Sequence, residues 1–437
     1  MAKSWLRSII AGSFRRATPR RTLQRLSKKI IKSEERSLKE EMFVLDDITL
    51  IVGIAVLLLA IIVPFVNVLV VRLKGGPADC GDEEGDDDAV EMTDNGAEKQ
   101  LPGISVVVTV EEDGEELRDN LPLWLGQEYA GEFQVIVVVC SNDELTENTL
   151  NKYSSDKHLY TTFIPGSSRY MSRRKLAITV GVKAAKYDWV LLTDVDCKPD
   201  TDRCLQTMAE NCSQTTDLVV GYSGFDEEYL KSRRFDHVYD LYRQLAAAQK
   251  GKAWGYCGNI LLFRKKMFID GKGFDGNLKY IRGEYDFIIN KFSTADNTIV
   301  ELSPKASVTE DDPTDKTWHN KNLFYMSTRK QLTGTRHCRL FFNTTMWAMW
   351  IVYVATVAAV VFSVLTERWI LTATAGVALV LTLVLRAVVL SKSIRRYLDG
   401  MSLVRMLWLE AMIPMRKLAR IIRYKRADKY DFISHKI

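Results

Sequence analysis

Two kinds of apolar pattern divide the chain. Three long runs carry no charge: residues 48–71, residues 340–366 and residues 369–385. A hydrocarbon core takes about 20 apolar residues in a helix, so each run is a candidate span. Pro64 predicts a kink in the first. Only Glu367 and Arg368 separate the other two, which predicts a tight antiparallel helix hairpin. Between these runs the apolar stretches are short and alternate with amphipathic ones. Strands are expected at 104–110, 133–139, 159–164, 189–196, 218–222 and 259–263. Helices are expected at 115–125, 146–153, 172–186 and 227–250, with Ser172 as a cap. Strand–helix alternation of this kind predicts an α/β domain with a mostly parallel, covered sheet.

Charge sharpens the boundaries. Ten Lys and Arg precede the first acid, Glu34, and they interleave with Trp5, Leu6, Ile9, Ile10 and Phe14. This basic arm suits an anionic membrane surface. Residues 75–99 hold ten acids and one base, Lys99, as expected of a solvated linker. The tail from Ser391 is basic and amphipathic, with Pro414 inside it, and is expected to lie along a membrane interface. Arg386, at the end of the third run, is expected to reach that interface by snorkelling. The predicted organisation is an arm at 1–45, a span at 46–73, a linker at 74–101, an α/β domain at 102–336, a membrane hairpin at 337–391 and an interfacial tail at 392–437. Seven cysteines without metal-ligand spacing point to reduced thiols rather than a zinc site or a disulfide frame.

The candidate chemistry sits at the end of the strand Trp189-Val-Leu-Leu-Thr-Asp-Val-Asp196. Side chains at i and i+2 of extended backbone point the same way. Asp194 and Asp196 therefore converge at a strand's carboxyl end, where open α/β sheets bind ligands. Two such carboxylates suit a hard divalent cation that keeps places for water and phosphate. Asp86-Asp87-Asp88 has the same spelling but no strand before it.

Four stretches in order resemble the family 2 glycosyltransferases of GT-A fold, the membrane-bound polysaccharide-building branch in particular. They are Ile104-Ser-Val-Val-Val, Leu191-Leu-Thr-Asp-Val-Asp196, Gly258-Asn-Ile-Leu-Leu-Phe-Arg-Lys265 and Arg282-Gly-Glu-Tyr-Asp-Phe287. The resemblance implies a nucleotide-diphospho-sugar donor, a divalent cation (Mg or Mn) on Asp194 and Asp196, and a glycan or lipid-linked acceptor. Glu112, Asp113, Lys175 and Asp194 are its implied donor-side residues. Gly258, Asn259 and Trp318 are its acceptor-side residues, and Glu284 or Asp286 is its general base. Arg173 and Arg174 flank Lys175 and are further candidates for phosphate. The chain departs from the family at three places: Tyr285 separates the two acids, Cys140 ends the second strand, and Trp318-His-Asn-Lys-Asn-Leu-Phe324 replaces a Gln-x-x-Arg-Trp motif. The last departure favours single transfer over processive synthesis. The implied setting is the inner membrane with the catalytic domain in the cytoplasm and no nucleic-acid partner. Basic residues on both sides of the hairpin agree with cytoplasmic ends, whereas the basic arm would place itself there too. The rival reading is a degenerate domain that binds nucleotide sugar or glycan as an assembly subunit.

Overall fold

The computed structural model describes residues 47–66, 68–70, 73, 101–111, 114–140, 144–165, 171–334 and 336–433. The basic arm, nearly all of the acidic linker, and Glu112 and Asp113 lie outside them. In chain order the helices are α1 (Asp47–Ile62), α2 (Gly114–Leu125), α3 (Glu144–Lys152), α4 (Arg173–Ala184), α5 (Cys204–Ala209), α6 (Lys231–Ala248), α7 (Lys265–Asp270), α8 (Glu284–Phe292), α9 (Asp315–Thr328), α10 (Arg336–Leu365), α11 (Trp369–Ser393) and α12 (Leu403–Arg426). The strands are β1 (Ile104–Val110), β2 (Phe133–Val139), β3 (Leu159–Phe163), β4 (Trp189–Asp194), β5 (Cys197–Pro199), β6 (Leu218–Val220), β7 (Ser223–Phe225), β8 (Ile260–Arg264), β9 (Thr298–Val300) and β10 (Val308–Glu310). The described residues form two compact units, 47–64 with 349–385 and 65–348 with 386–433.

In the first unit, α1 ends at a 3-10 turn around Pro64, where the missing N–H breaks the helical ladder. Val56 and Ala60 of α1 bury against Ala378 of α11. Small side chains let the backbones approach: a Cβ on Gly53 would lie 3.5 Å from Thr374 Oγ1. Glu367 takes a left-handed φ of 56° at the turn between α10 and α11. Ser363 and Thr372 share a hydroxyl hydrogen bond of 2.8 Å across it. Helix α1 with its 3-10 turn (Asp47–Phe65), α10 and α11 are each long and apolar enough to cross a membrane.

The second unit is a mixed α/β domain around a mostly parallel sheet of order β3-β2-β1-β4-β8-β6-β9. Strands β3, β2, β1 and β4 are parallel, and β8 runs antiparallel between β4 and β6. All seven residues of β1 are buried, as are the first five of β4, because helices cover both faces. One core holds Val190 and Leu192 with α4 and α6; the other holds Trp189 and Leu191 with α2 and α5. Gly181 sets the closest approach of α4 to the sheet. A Cβ there would sit 2.5 Å from Val107 Cγ1.

Three short strands that the apolar pattern does not announce form a second sheet of order β5-β10-β7. Three residues give too few alternations to stand out. Strand β10 pairs with β5 so that Glu310 faces Cys197, next to Asp196. The amphipathic tail helix α12 packs on α6 and α9. Asp236 of α6 receives the Arg416 guanidinium at 2.6 and 3.1 Å on one oxygen and 3.0 Å on the other, and pairs with Arg420 as well. Arg386 does not snorkel. It is fully buried and pairs with Glu410 of α12, Nε to Oε2 at 3.1 Å. A carboxylate within reach compensates the charge inside the fold, and a straightened side chain becomes unnecessary.

Candidate active site

Strand β4 places Asp194 at its last residue, at the carboxyl end of the sheet. The chain then turns and enters β5, with Val195 buried and Asp194 and Asp196 both partly open. The strand is two residues shorter than the apolar pattern suggests, so the i, i+2 rule of extended backbone does not reach Asp196; the turn brings it round instead, and both carboxylates line one pocket of about 290 Å³. Arg174, Asn259, Glu284, Tyr285, Glu310 and Lys321 line it too.

The three consecutive bases at the start of α4 diverge, because successive helical residues are 100° apart. Arg173 donates to the Cys140 carbonyl. Arg174 pairs with Asp194 Oδ1. Lys175 is fully buried and turns away from the pocket, donating to the carbonyls of Asn277 (2.9 Å) and Tyr280. Ser172 caps the helix, accepting from the Lys175 N–H at 3.3 Å. The base nearest the acid pair is Arg174, one residue before the expected Lys175. Sequence gives the cluster but not which member faces inward.

Tyr285, the residue that separates the two acids, donates its hydroxyl to Asp194 Oδ1 at 2.8 Å. Burial pushes the Asp194 carboxyl up, but Arg174 and this hydroxyl outweigh it and hold it below the usual carboxylate range. Asp196 goes the other way. Burial, then Glu310, then Asp194 push it up to about 8. Burial also raises Glu310, even though Lys321 pairs with it and Asn259 Nδ2 donates to it at 2.7 Å. Glu310 and Lys321 were not singled out from sequence. Their link to Asp196 is the register of a three-residue strand over a hundred residues away in the chain.

Helix α8 begins with Gly283 at φ 99°. A Cβ there would also meet Thr328 Cγ2 at 2.6 Å, so glycine is needed for conformation and for space. This start separates the two candidate bases. Asp286 is buried and engaged: Oδ1 accepts from the Tyr256 N–H at 2.6 Å, and Oδ2 accepts from the Thr328 hydroxyl at 3.0 Å. Arg329 Nε stands 3.7 Å from it. Glu284 Oε2 accepts from the Gly283 N–H at 3.1 Å, while Oε1 is buried without a partner among the described residues. A buried carboxylate oxygen without a partner is costly, and Glu284 is among the residues that line the pocket.

On the acceptor side, Asn259 lines the pocket and Gly258 does not. Gly258 lets Tyr256 pass, since a Cβ would lie 2.4 Å from its hydroxyl oxygen. Trp318 faces away from the acids. Its ring packs on Phe225 at 5.9 Å and under Arg233 at 5.7 Å, and Phe324 and Tyr325 face the pocket instead.

The donor set tests the fit of a divalent cation. Both contacts to Asp194 use Oδ1, which leaves Oδ2 free among the described residues. Among the described residues the Asp196 carboxylate has only the weak Cys197 thiol contact, at 3.5 Å. No group of three or more His, Cys, Asp or Glu with ligand geometry occurs among the described residues. Two open carboxylates with excess negative charge suit Mg or Mn, which keep most coordination places for water and phosphate.

No known protein family and no curated protein matches the sequence. Among solved structures, a mannosyltransferase from Pyrobaculum calidifontis, in complex with GDP-Man and Mn2+, is similar over 73% of this chain and 88% of its own, at 15% identity and a TM-score of 0.44. A glucosyl-3-phosphoglycerate synthase from Mycobacterium tuberculosis, in complex with phosphoglyceric acid, is similar over 53% of this chain and 80% of its own, at 11% identity and a TM-score of 0.37.

Proposed function

We propose that this chain is a membrane-anchored, metal-dependent glycosyltransferase of inverting type. It moves a sugar from a nucleotide-diphospho-sugar to a glycan or lipid-linked acceptor. The observation that carries the reading is a single pocket in which Asp194 and Asp196 stand at the carboxyl end of β4 and Glu284 lines the wall, its buried Oε1 without a partner among the described residues. The domain boundaries drawn from sequence, the cytoplasmic placement of the catalytic domain and the inner-membrane setting belong to this proposal.

Each residue then has a task. Asp194 and Asp196 hold the cation, which when bound neutralises the donor diphosphate and the charge that grows on it as it leaves. Arg174, already at Asp194, is placed to meet a phosphate oxygen through its second amino group. Glu284 Oε1 takes the proton of the acceptor hydroxyl as its oxygen bonds to the anomeric carbon. The bond from that carbon to the diphosphate breaks on the opposite side, and the nucleoside diphosphate departs with the electron pair. Asp286 fixes the start of α8 through Tyr256, Thr328 and Arg329 and so keeps Glu284 aimed. Glu112 and Asp113, which follow β1, are proposed to face the nucleoside.

The rival reading, a donor-binding subunit without transfer, draws on the engagement of Asp194 by Arg174 and Tyr285. A screen of nucleotide-diphospho-sugars with Mn or Mg, read as nucleoside diphosphate released, separates the two. Release that disappears in Asp196→Ala, with expression and membrane insertion intact, is the expected result. Donor binding without release for every donor supports the rival.

A further inference from the structure

A second pocket of about 360 Å³ adjoins the first, within the same unit. Lys321 and Tyr325 line both. They are one helical turn apart on α9, so α9 is the shared wall. Helix α12, the start of α10, helix α6 and the segment that follows α6 supply the other walls.

The charge of this pocket is one-sided. Seven Lys and Arg line it against two acids, Asp236 and Asp240. Both acids are already served. Asp236 takes Arg416 and Arg420, and Asp240 lies 3.8 Å from both Arg243 and Arg420. Lys330, Arg339, Lys417 and Lys425 make no ion pair among the described residues. Arg339 donates to the Arg329 carbonyl at 2.7 Å, and Lys417 donates to Asn343 Oδ1 at 2.8 Å. These contacts orient the two cations without neutralising them. Burial, then the neighbouring Arg243, Arg420 and Arg329, lower Lys417 to about 8, with Asp240 opposing, as expected where positive charge is in excess.

Apolar side chains are interleaved with these cations, and Lys330 stands 4.0 Å over the Tyr424 ring. Trp254, Met326, Ile421 and Tyr424 line the pocket. Arg339 and Asn343 belong to the first two turns of α10, a helix long and apolar enough to cross a membrane. Helix α12 exposes Trp408, Met415, Leu418 and Ile422. A soluble anion needs the cations alone. Cations interleaved with apolar side chains, at the start of a membrane-length helix, suit an anion that carries a hydrocarbon chain.

We infer that this pocket binds the phosphate of a lipid-linked acceptor through Arg339, Lys417 and Lys425, with the hydrocarbon along Tyr424 and Ile421. The acceptor's sugar-receiving end then passes Lys321 and Tyr325 toward Glu284. The inference rests on the transferase reading for its purpose and not for its test.

The test uses the full chain in neutral detergent, with neither donor nor metal. Binding of octyl phosphate, octanol and inorganic phosphate is followed by tryptophan fluorescence, since Trp254 and Trp318 line the pocket. Octyl phosphate is expected to bind at least ten-fold more tightly than either fragment. Lys417→Gln and Arg339→Gln are each expected to weaken it about ten-fold, or about 1.4 kcal/mol, and Lys417→Arg to restore it. Circular dichroism identifies any variant that has failed to fold, and Lys425→Gln then takes its place. Equal binding of inorganic phosphate overturns the lipid source. Equal binding of octanol overturns the phosphate site. Unchanged octyl phosphate affinity in the folded Gln variants overturns both. Asp196→Ala is expected to bind octyl phosphate as the wild type does, so a failure of the transferase reading leaves this result standing.

Discussion

Glu284 and Asp286 are two residues apart, and the same conservative amide substitution should do opposite things to them. In Glu284→Gln, the amide oxygen replaces Oε2 and still accepts from the Gly283 N–H at 3.1 Å. The amide nitrogen replaces the unpartnered Oε1 and cannot take a proton. Folding stability is expected to change by less than about 1 kcal/mol, the net worth of one hydrogen bond. Loss of general-base catalysis is worth roughly 10²–10⁴ in rate, or about 3–5 kcal/mol on the barrier. The loss should fall on kcat with little change in donor KM. In Asp286→Asn only one oxygen remains for two donors, the Tyr256 N–H at 2.6 Å and the Thr328 hydroxyl at 3.0 Å. The hydroxyl can rotate and accept; the backbone N–H cannot. Arg329 also loses its carboxylate in a buried setting. Removing one member of a buried pair costs roughly 3–5 kcal/mol of stability. The assay is nucleoside diphosphate release beside thermal unfolding in detergent. Glu284→Gln should be folded and nearly inactive; Asp286→Asn should be destabilised and, where folded, retain activity. A folded Glu284→Gln with kcat within three-fold of wild type would falsify the assignment of the base.

The buried Arg386–Glu410 pair predicts that Glu410→Ala lowers stability by about 3–5 kcal/mol by leaving the guanidinium uncompensated, whereas Arg386→Met with Glu410→Leu recovers most of the loss; a double variant no more stable than the single in thermal unfolding would refute this. Gly181→Ala should cost about 1–3 kcal/mol by overpacking against Val107, and Val107→Ala should relieve it in denaturant titrations. Burial lowers Lys175 from its ordinary 10.5 to about 8. Between those values the unfolded chain binds the proton and the folded chain does not, so the Lys175 contribution to stability rises with pH across that window and is at its least favourable below about 8. Wild type should therefore gain stability relative to Lys175→Met from pH 8 to 10, and a pH-independent difference would remove the shift.

The apolar pattern alone determined the three membrane-length helices and strands β1, β2, β4 and β8. Long uncharged runs and continuous apolar strands admit few other solutions, because each must bury both faces or lie in lipid. The pattern announced Asp194 and Asp196 at the end of β4, but the strand stops at Asp194 and residues 195–196 form a turn, so it is this turn and not a period of two that carries Asp196 to the same pocket. Tertiary structure decided what pattern cannot encode: which of three consecutive bases turns inward, which of two acids keeps a free oxygen, and that Arg386 finds Glu410 instead of an interface. It also delivered Glu310 to Asp196 through strands of three residues, too short to carry a period. These outcomes depend on long-range register and on which partner is within about 3 Å, and neither is written in local sequence.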